Sequence, residues 1–171
     1  MKAQKVDILG VKVDAVNLNS AWEIIEGWVS RREKAYICVA PVSTIVSCNE
    51  DEHYRTVVNQ AQMVTPDGMP VVWLARGKGF KEVERTYGPD LLLKVCQEGQ
   101  PKGLRHFFYG GTEEVCRRLK TALLARVPQV KIVGAYAPPF RELTSEENEK
   151  IISMINEAQP DILWVGLGSP K

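Results

Sequence analysis

The sequence predicts an α/β fold: a doubly wound, mainly parallel sheet with helices on both faces, Rossmann-like in class. Three observations predict it. Short apolar runs of strand length alternate with amphipathic stretches of helix length along the whole chain. The second half reads strand, helix, strand, helix, strand, an order that implies parallel pairing through right-handed crossovers. The 171 residues carry no repeat, low-complexity tract or linker, and 44% are hydrophobic and 25% charged. That is the mix of a single soluble α/β domain spanning residues 1–171.

The elements follow in order. Val6 to Val16 alternates and contains Gly10, which suits a hairpin or an edge strand. Ser20 with Glu23 has the spacing of a capping box, and Trp22, Ile25, Trp28 and Val29 give the following helix one apolar face. Ala35 to Ala40 reads as a buried strand ended by Pro41. Helical stretches follow from Ser43 and from Asp51 to Ala61, then a weak strand over Gln62 to Thr65. Pro66-Asp67-Gly68 closes it, Met69 to Arg76 is helical with Pro70 in its first turn, and Pro89 to Glu98 is a further helix.

Arg105 to Tyr109 is a strand and Gly110-Gly111 its turn. Thr112 caps a helix with an apolar face of Val115, Leu119, Ala122 and Leu123, stopped by Pro128. Val130 to Tyr136 is a strand. Thr144 and Glu147 form a second capping box for a helix lined by Ile151, Ile152, Ile155 and Ala158. Asp161 to Val165, apolar after its first residue, is expected inside the sheet. It runs into Gly166-Leu167-Gly168-Ser169-Pro170-Lys171, where a doubly wound sheet calls for another covering helix. The sequence therefore reads as truncated relative to a longer protein.

Composition excludes several classes. Lys plus Arg is 22 against 21 Asp plus Glu, so no net field favours nucleic acid or an anionic membrane. No apolar run approaches the roughly 20 residues that cross a bilayer, and Met1 to Gly10 lacks a signal-peptide core, so a cytoplasmic location is expected. Cys38, Cys48, Cys96 and Cys116 form no CxxC pair and read as structural thiols. His53 and His106 have no second ligand at metal spacing, so no metal site and no cofactor are expected.

In an open parallel sheet, ligands bind beyond the carboxyl ends of the strands. Four turns occupy that edge: Ala40 to Thr44, Pro66 to Met69, Gly110 to Thr112, and Gly166 to Lys171. Pro-Asp-Gly is common as a plain turn, but Asp67 there also places a carboxylate where it can take a proton from an attacking hydroxyl. Gly110-Gly111-Thr112 precedes Glu113 and Glu114, which repel an anion, so a tight turn suits it better than a diphosphate cradle. Gly166-x-Gly168 permits close backbone approach, with Lys171 beyond to face a phosphate. Arg85 offers a fork of donors suited to diphosphate, or a surface ion pair with Glu82 or Glu84.

Taken in order, Thr65-Pro66-Asp67-Gly68, Glu84-Arg85 with Gly88-Pro89-Asp90-Leu91, Phe108-Tyr109-Gly110-Gly111, Val127-Pro128, Ile132-Val133-Gly134, Pro138-Pro139-Phe140 and Gly166 to Lys171 form a set. The set resembles the WecG/TagA/CpsF family of bacterial glycosyltransferases (glycosyltransferase family twenty-six) over residues 6 to 171. The resemblance implies inverting, metal-independent transfer of a sugar, typically N-acetylmannosamine, from a UDP-sugar donor. The acceptor is a polyprenyl-diphosphate-linked sugar, and the products feed teichoic acid, enterobacterial common antigen or exopolysaccharide synthesis. It makes Asp67 the catalytic base. It places Gly68, Arg85, Gly88, Asp90, Gly110, Gly111, Gly166, Gly168 and Lys171 around the substrates. Many members carry Thr and Asn where this chain has Ala40 and Val42; Ser43 and Thr44 stand in for them, as in an exopolysaccharide-type branch. The family's carboxyl-terminal basic segment, absent here, implies peripheral attachment to the inner face of the membrane. Apolar groups left uncovered at the last strand favour self-association into a homo-oligomer.

Two other classes use the same turns. A non-catalytic nucleotide- or ligand-binding domain would keep Asp67 as a turn residue only. A dinucleotide-dependent oxidoreductase would need a strand leading into GxGxxG with an acidic residue about 20 positions on, which this chain lacks.

Overall fold

The computed structural model describes residues 3–168. They form a mixed α/β structure with parallel sheets flanked by helices, as the alternation of strand and helix predicts. The chain divides into two compact units, with the boundary between Val95 and Cys96.

The first unit opens with a hairpin, β1 (Lys5–Ile8) and β2 (Val11–Asp14), paired antiparallel. Leu9 and Gly10 turn it, with φ of 52° and 82°, the two left-handed residues that a hairpin with the sheet's own twist requires. Val6, Ile8, Val11 and Val13 face the core. α1 (Leu18–Ser30) starts one turn earlier than the Ser20–Glu23 spacing predicts. Asn17 is the cap, accepting from the backbone of Asn19 and Ser20, and the Ser20 hydroxyl accepts in return from the Asn17 N–H. Ser20 is thus the third helical residue of the box rather than its cap.

β3 (Ile37–Ala40) and β4 (Met63–Pro66) pair in parallel, Ile37 beside Met63 and Ala40 beside Pro66. α2 (Val42–Glu50) and α3 (Glu52–Gln60) connect them, and Asp51 caps the second by accepting from the Tyr54 N–H. The hairpin joins this pair through Asp14. Its carboxylate is buried, and it accepts from the Val64 N–H at 2.7 Å and from Lys5 Nζ at 2.8 Å. The β4 edge thereby has its backbone donor satisfied by a side chain, which stops it presenting an orphan N–H to the core. α4 (Met69–Gly77) and α5 (Gly88–Gly99) complete the unit, and the unit boundary falls inside α5.

The second unit begins within α5 and includes a short turn of 3-10 helix at Gln100–Lys102. β5 (Arg105–Gly110), α6 (Glu113–Arg126), β6 (Lys131–Tyr136), α7 (Ser145–Ala158) and β7 (Ile162–Gly166) build a parallel sheet in the order β6-β5-β7. Both predicted caps form: Thr112 accepts from Val115, and Thr144 exchanges hydrogen bonds with Glu147. Two side-chain faces differ from expectation. α6 turns Leu123 inward with Cys116 and Leu119 beside it, and leaves Val115 and Ala122 exposed; α7 buries Ile151 and exposes Ile152. β7 is, among the described residues, an edge strand of this sheet rather than an inner one. Among the described residues it pairs with β5 alone, and Val165 is 61% exposed. An apolar run says that one face meets a core; it does not say that both neighbours are present.

His106 on β5 is fully buried. Its Nδ1 accepts from the Trp164 indole N–H at 3.2 Å, so the neutral ring carries its proton on Nε2. Burial pushes its pKa down from 6.5 to about 4, against a small opposing pull from Asp161. The unfolded chain therefore binds a proton that the folded chain refuses. This contribution is complete above pH 6.5 and is lost as pH falls through 6.5 toward about 4, roughly 3 kcal/mol in all. Urea unfolding across that range should show the loss, and His106→Asn, which keeps an acceptor for Trp164, should flatten it. An unchanged slope in the variant would assign the loss to other groups. The four cysteines are all free, and burial raises the Cys96 thiol to about 12. That makes it unreactive, in keeping with a structural role.

Candidate functional site

The carboxyl edge of the β3–β4 pair gathers most of the first unit's polar candidates. β4 ends at Pro66, and Asp67 follows with its N–H donating to the Ala40 carbonyl at 3.3 Å. Gly68 then turns the chain at φ 109° and caps α4, a conformation that a side chain at this position would strain. Pro70 occupies the first turn, where its missing N–H costs nothing. The two successive turns leave the Asp67 side chain 15% exposed at the mouth of the edge.

A second segment is tied to the same place. The Thr86 N–H donates to the Pro66 carbonyl at 2.8 Å, and Thr86 is buried. This anchors Glu84–Tyr87 beside β4 and brings Arg85 Nε to 3.9 Å from Asp67 Oδ1. The Arg85 guanidinium also lies over the Tyr87 ring, 4.3 Å from its centre, a cation–π contact that limits where it can swing. The sequence left Arg85 open between a ligand role and a pairing with Glu82 or Glu84. The geometry sets Asp67, rather than Glu82 or Glu84, beside it. Gly88 opens α5 against Val39 of β3; a Cβ there would sit 3.7 Å from the Val39 side chain. Asp90 lies in the first turn of α5. Ser43 and Thr44 begin α2 just past β3, Ser43 exposed and Thr44 buried.

The electrostatics of Asp67 have three sources. Partial burial, the largest, pushes its pKa above the ordinary 3.8; Arg85 pulls it down, and Asp90 pushes it up. A carboxylate held ionised by a nearby cation, yet made more basic by burial, suits proton abstraction. The adjoining guanidinium is a donor fork for an anion.

Gly110, Gly111, Gly166 and Gly168 belong to the second unit and form a group of their own. Gly110 and Gly166 are paired residues at the ends of β5 and β7, and the Gly111 N–H donates to the Gly166 carbonyl at 3.3 Å. Lys171 lies outside the described residues. Sequence reasoning missed Tyr87 and the buried hydroxyl of Thr65, whose Oγ1 has no hydrogen-bond partner among the described residues. Tyr87 carries a signal in hindsight: an aromatic two residues from an arginine in an irregular segment. Among the described residues no group of three or more His, Cys, Asp or Glu is placed to hold a metal ion, and no helix is long and apolar enough to cross a membrane.

An α/β domain with a carboxylate and a guanidinium at the carboxyl edge of its parallel strands has the layout of a ligand-binding or group-transfer site. The match to known families is specific: residues 6–171 fit the model of the glycosyl transferase WecG/TagA/CpsF family, and the chain belongs to that family. It is similar to the N-acetylglucosaminyldiphosphoundecaprenol N-acetyl-beta-D-mannosaminyltransferase of Staphylococcus aureus (strain NCTC 8325 / PS 47), with 26% identity over 98% of this chain and 65% of that relative. The protein of the same name from Bacillus subtilis (strain 168) is 23% identical over 90% of this chain and 59% of its own length. The chain thus spans about two thirds or less of the curated relatives it matches.

Proposed function

We propose that this chain is the nucleotide-sugar-binding α/β part of an inverting glycosyltransferase. The reading takes it to move N-acetylmannosamine from a UDP-sugar to a polyprenyl-diphosphate-linked sugar, in teichoic acid or other cell-surface polysaccharide synthesis, at the inner face of the membrane. The single observation that carries it is Asp67 facing Arg85 at the strand edge, in a chain whose relatives are named for this transfer. The acceptor hydroxyl oxygen attacks the anomeric carbon from the side opposite UDP. Asp67 receives the hydroxyl proton as the new bond forms. The bond from the anomeric carbon to the UDP oxygen breaks, and UDP leaves with its electron pair. In this reading Arg85 offsets that charge, together with backbone N–H groups at the strand edge. The basic carboxyl-terminal segment that the family resemblance implies, and self-association, belong to the same reading.

Calorimetric titration tests the donor half directly. UDP is expected to bind and NAD not to. Binding of UDP is expected to persist in EDTA, since basic side chains rather than a metal carry the diphosphate in this account. Binding of NAD in place of UDP would overturn the reading, and abolition by EDTA with rescue by magnesium or manganese would overturn the charge account. UDP binding in a longer family protein that never transfers sugar would favour a non-catalytic ligand-binding domain, with Asp67 serving only the ion pair and turn.

A further inference from the structure

We infer that the outward face of α4 is a contact surface for an anionic lipid bilayer, set directly beside Asp67. The inference rests on the reading above only in its choice of a lipid as partner. α4 buries Val71, Val72 and Ala75 and turns Met69, Pro70, Trp73 and Leu74 outward. Met69 is 39% exposed, Leu74 51% and Trp73 62%. Single exposed apolar residues are ordinary. Here four of them stand at i, i+1, i+4 and i+5 and make one uncharged stripe along the side opposite the core. Indole rings with apolar neighbours settle at the boundary between headgroups and acyl chains.

Charge fits that occupant better than a second copy of the chain. From Gly68 to Lys81 the chain carries Arg76, Lys78 and Lys81 and no Asp or Glu. A second copy seated on this face by two-fold symmetry would bring cation against cation. An anionic lipid surface meets the same charges with the opposite sign, each lysine or arginine adding attraction within a Debye length. Just past the helix, Lys78, Phe80 and Lys81 line a cleft of about 400 Å³ with Gln4; Glu82 also lines it. That cleft is large enough for a lipid phosphate headgroup beside its two lysines.

The placement has a consequence for the chemistry. α4 begins two residues after Asp67, so a bilayer against Met69 and Trp73 holds the carboxylate at the headgroup level. A diphosphate linked to a membrane lipid presents its sugar at that level.

Co-sedimentation of the 171-residue chain with phosphatidylcholine vesicles, with and without phosphatidylglycerol, tests the surface without any substrate. Binding is expected to need phosphatidylglycerol and to weaken with salt. Trp73→Ser with Leu74→Ser should reduce partitioning at least tenfold. Lys78→Gln and Lys81→Gln should each reduce it about fivefold. All these side chains are exposed, so the far-ultraviolet circular dichroism should not change. No sedimentation, or equal sedimentation of the Trp73 Leu74 variant, overturns the inference. Dispersal of an oligomer by Trp73→Ser, without vesicle binding by the original chain, also overturns it and gives the face to a second copy. Sugar transfer by a family protein whose α4 face does not bind vesicles removes this inference and leaves the proposed function; vesicle binding without transfer does the reverse.

Discussion

Asp67→Asn is expected to lower sugar transfer by roughly 10²–10⁴-fold, the range for losing a general base, while the protein stays folded and still binds UDP. The assay pairs UDP-N-acetylmannosamine with N-acetylglucosaminyl-diphospho-undecaprenol, using a family protein of the relatives' length with this site. The loss should fall on turnover, because the carboxylate acts on the attacking hydroxyl rather than on the donor. A pH profile gives an independent check. The base works only when ionised, so the rate falls as pH drops through its pKa. Burial has raised that value above 3.8, so the fall should begin at higher pH than for an exposed carboxylate. Arg85→Gln removes the cation that pulls the value down and should move the fall higher still. Stability should not follow activity. Because folding raises the pKa of Asp67, its contribution is present below pH 3.8 and is lost as pH rises through the folded value. The Asn variant escapes that loss and should unfold at the same or slightly higher urea concentration at neutral pH. Full transfer by Asp67→Asn would remove Asp67 from the chemistry.

Local signals in the sequence located what local physics controls. Capping at Thr112 and Thr144, the hairpin around Gly10 and the Asp67-Gly68 turn all depend on residues within a few positions of one another. What the sequence did not reveal depends on residues far apart in the chain. The hairpin's attachment through Asp14 to Val64 spans fifty positions, and nothing in the pattern around Asp14 names that partner. Arg85 meeting Asp67 rather than its neighbours Glu82 and Glu84 follows from the Thr86 tie to Pro66, a backbone contact with no side-chain signature. The inward face of α6 is not legible in the sequence because its apolar residues surround much of the helix; Val115 and Leu124 are both exposed. The edge position of β7 among the described residues is hidden for a related reason. Ile162, Leu163 and Trp164 fit an inner strand by composition, while strand order is decided by pairing. The Asp67 turn is legible only as a candidate, because Pro-Asp-Gly sets a carboxylate between strand and helix and is equally common as a plain turn; the stacking of Arg85 on Tyr87 is a three-dimensional contact that spacing cannot show.

Gly110→Ala is expected to destabilise the protein by about 4 kcal/mol, the sum of ~1–3 kcal/mol for a strained backbone and ~1–3 kcal/mol for overpacking. Gly110 closes β5 at φ 131°, outside the regions open to residues with a Cβ. Its position also leaves no space. A Cβ built there would overlap the Gly166 carbonyl oxygen and lie 2.6 Å from the carbonyl carbon. The obstacle is backbone in a paired strand, so no side-chain rotation relieves it; β5 and β7 must part, and with them the Gly110–Gly166 end of the ladder. Gly111→Ala should cost less, about 1 kcal/mol. Its φ of 67° lies in the left-handed region, and its new Cβ would meet a Val115 side chain that is itself exposed and can give way. Gly166→Ala should be close to neutral, because nothing lies within 4 Å of a Cβ there and its φ is not positive. Urea unfolding of the three variants orders these costs. Equal stability of Gly110→Ala and the unmodified protein would show that the strands separate at that end without penalty. The same series divides structural from ligand-binding roles at this turn. The close approach that Gly110 permits is filled by Gly166 of the neighbouring strand, so weakened UDP binding in Gly110→Ala would report a damaged sheet. Gly166→Ala leaves the sheet intact, and only there does a loss of UDP affinity count as a ligand meeting the backbone.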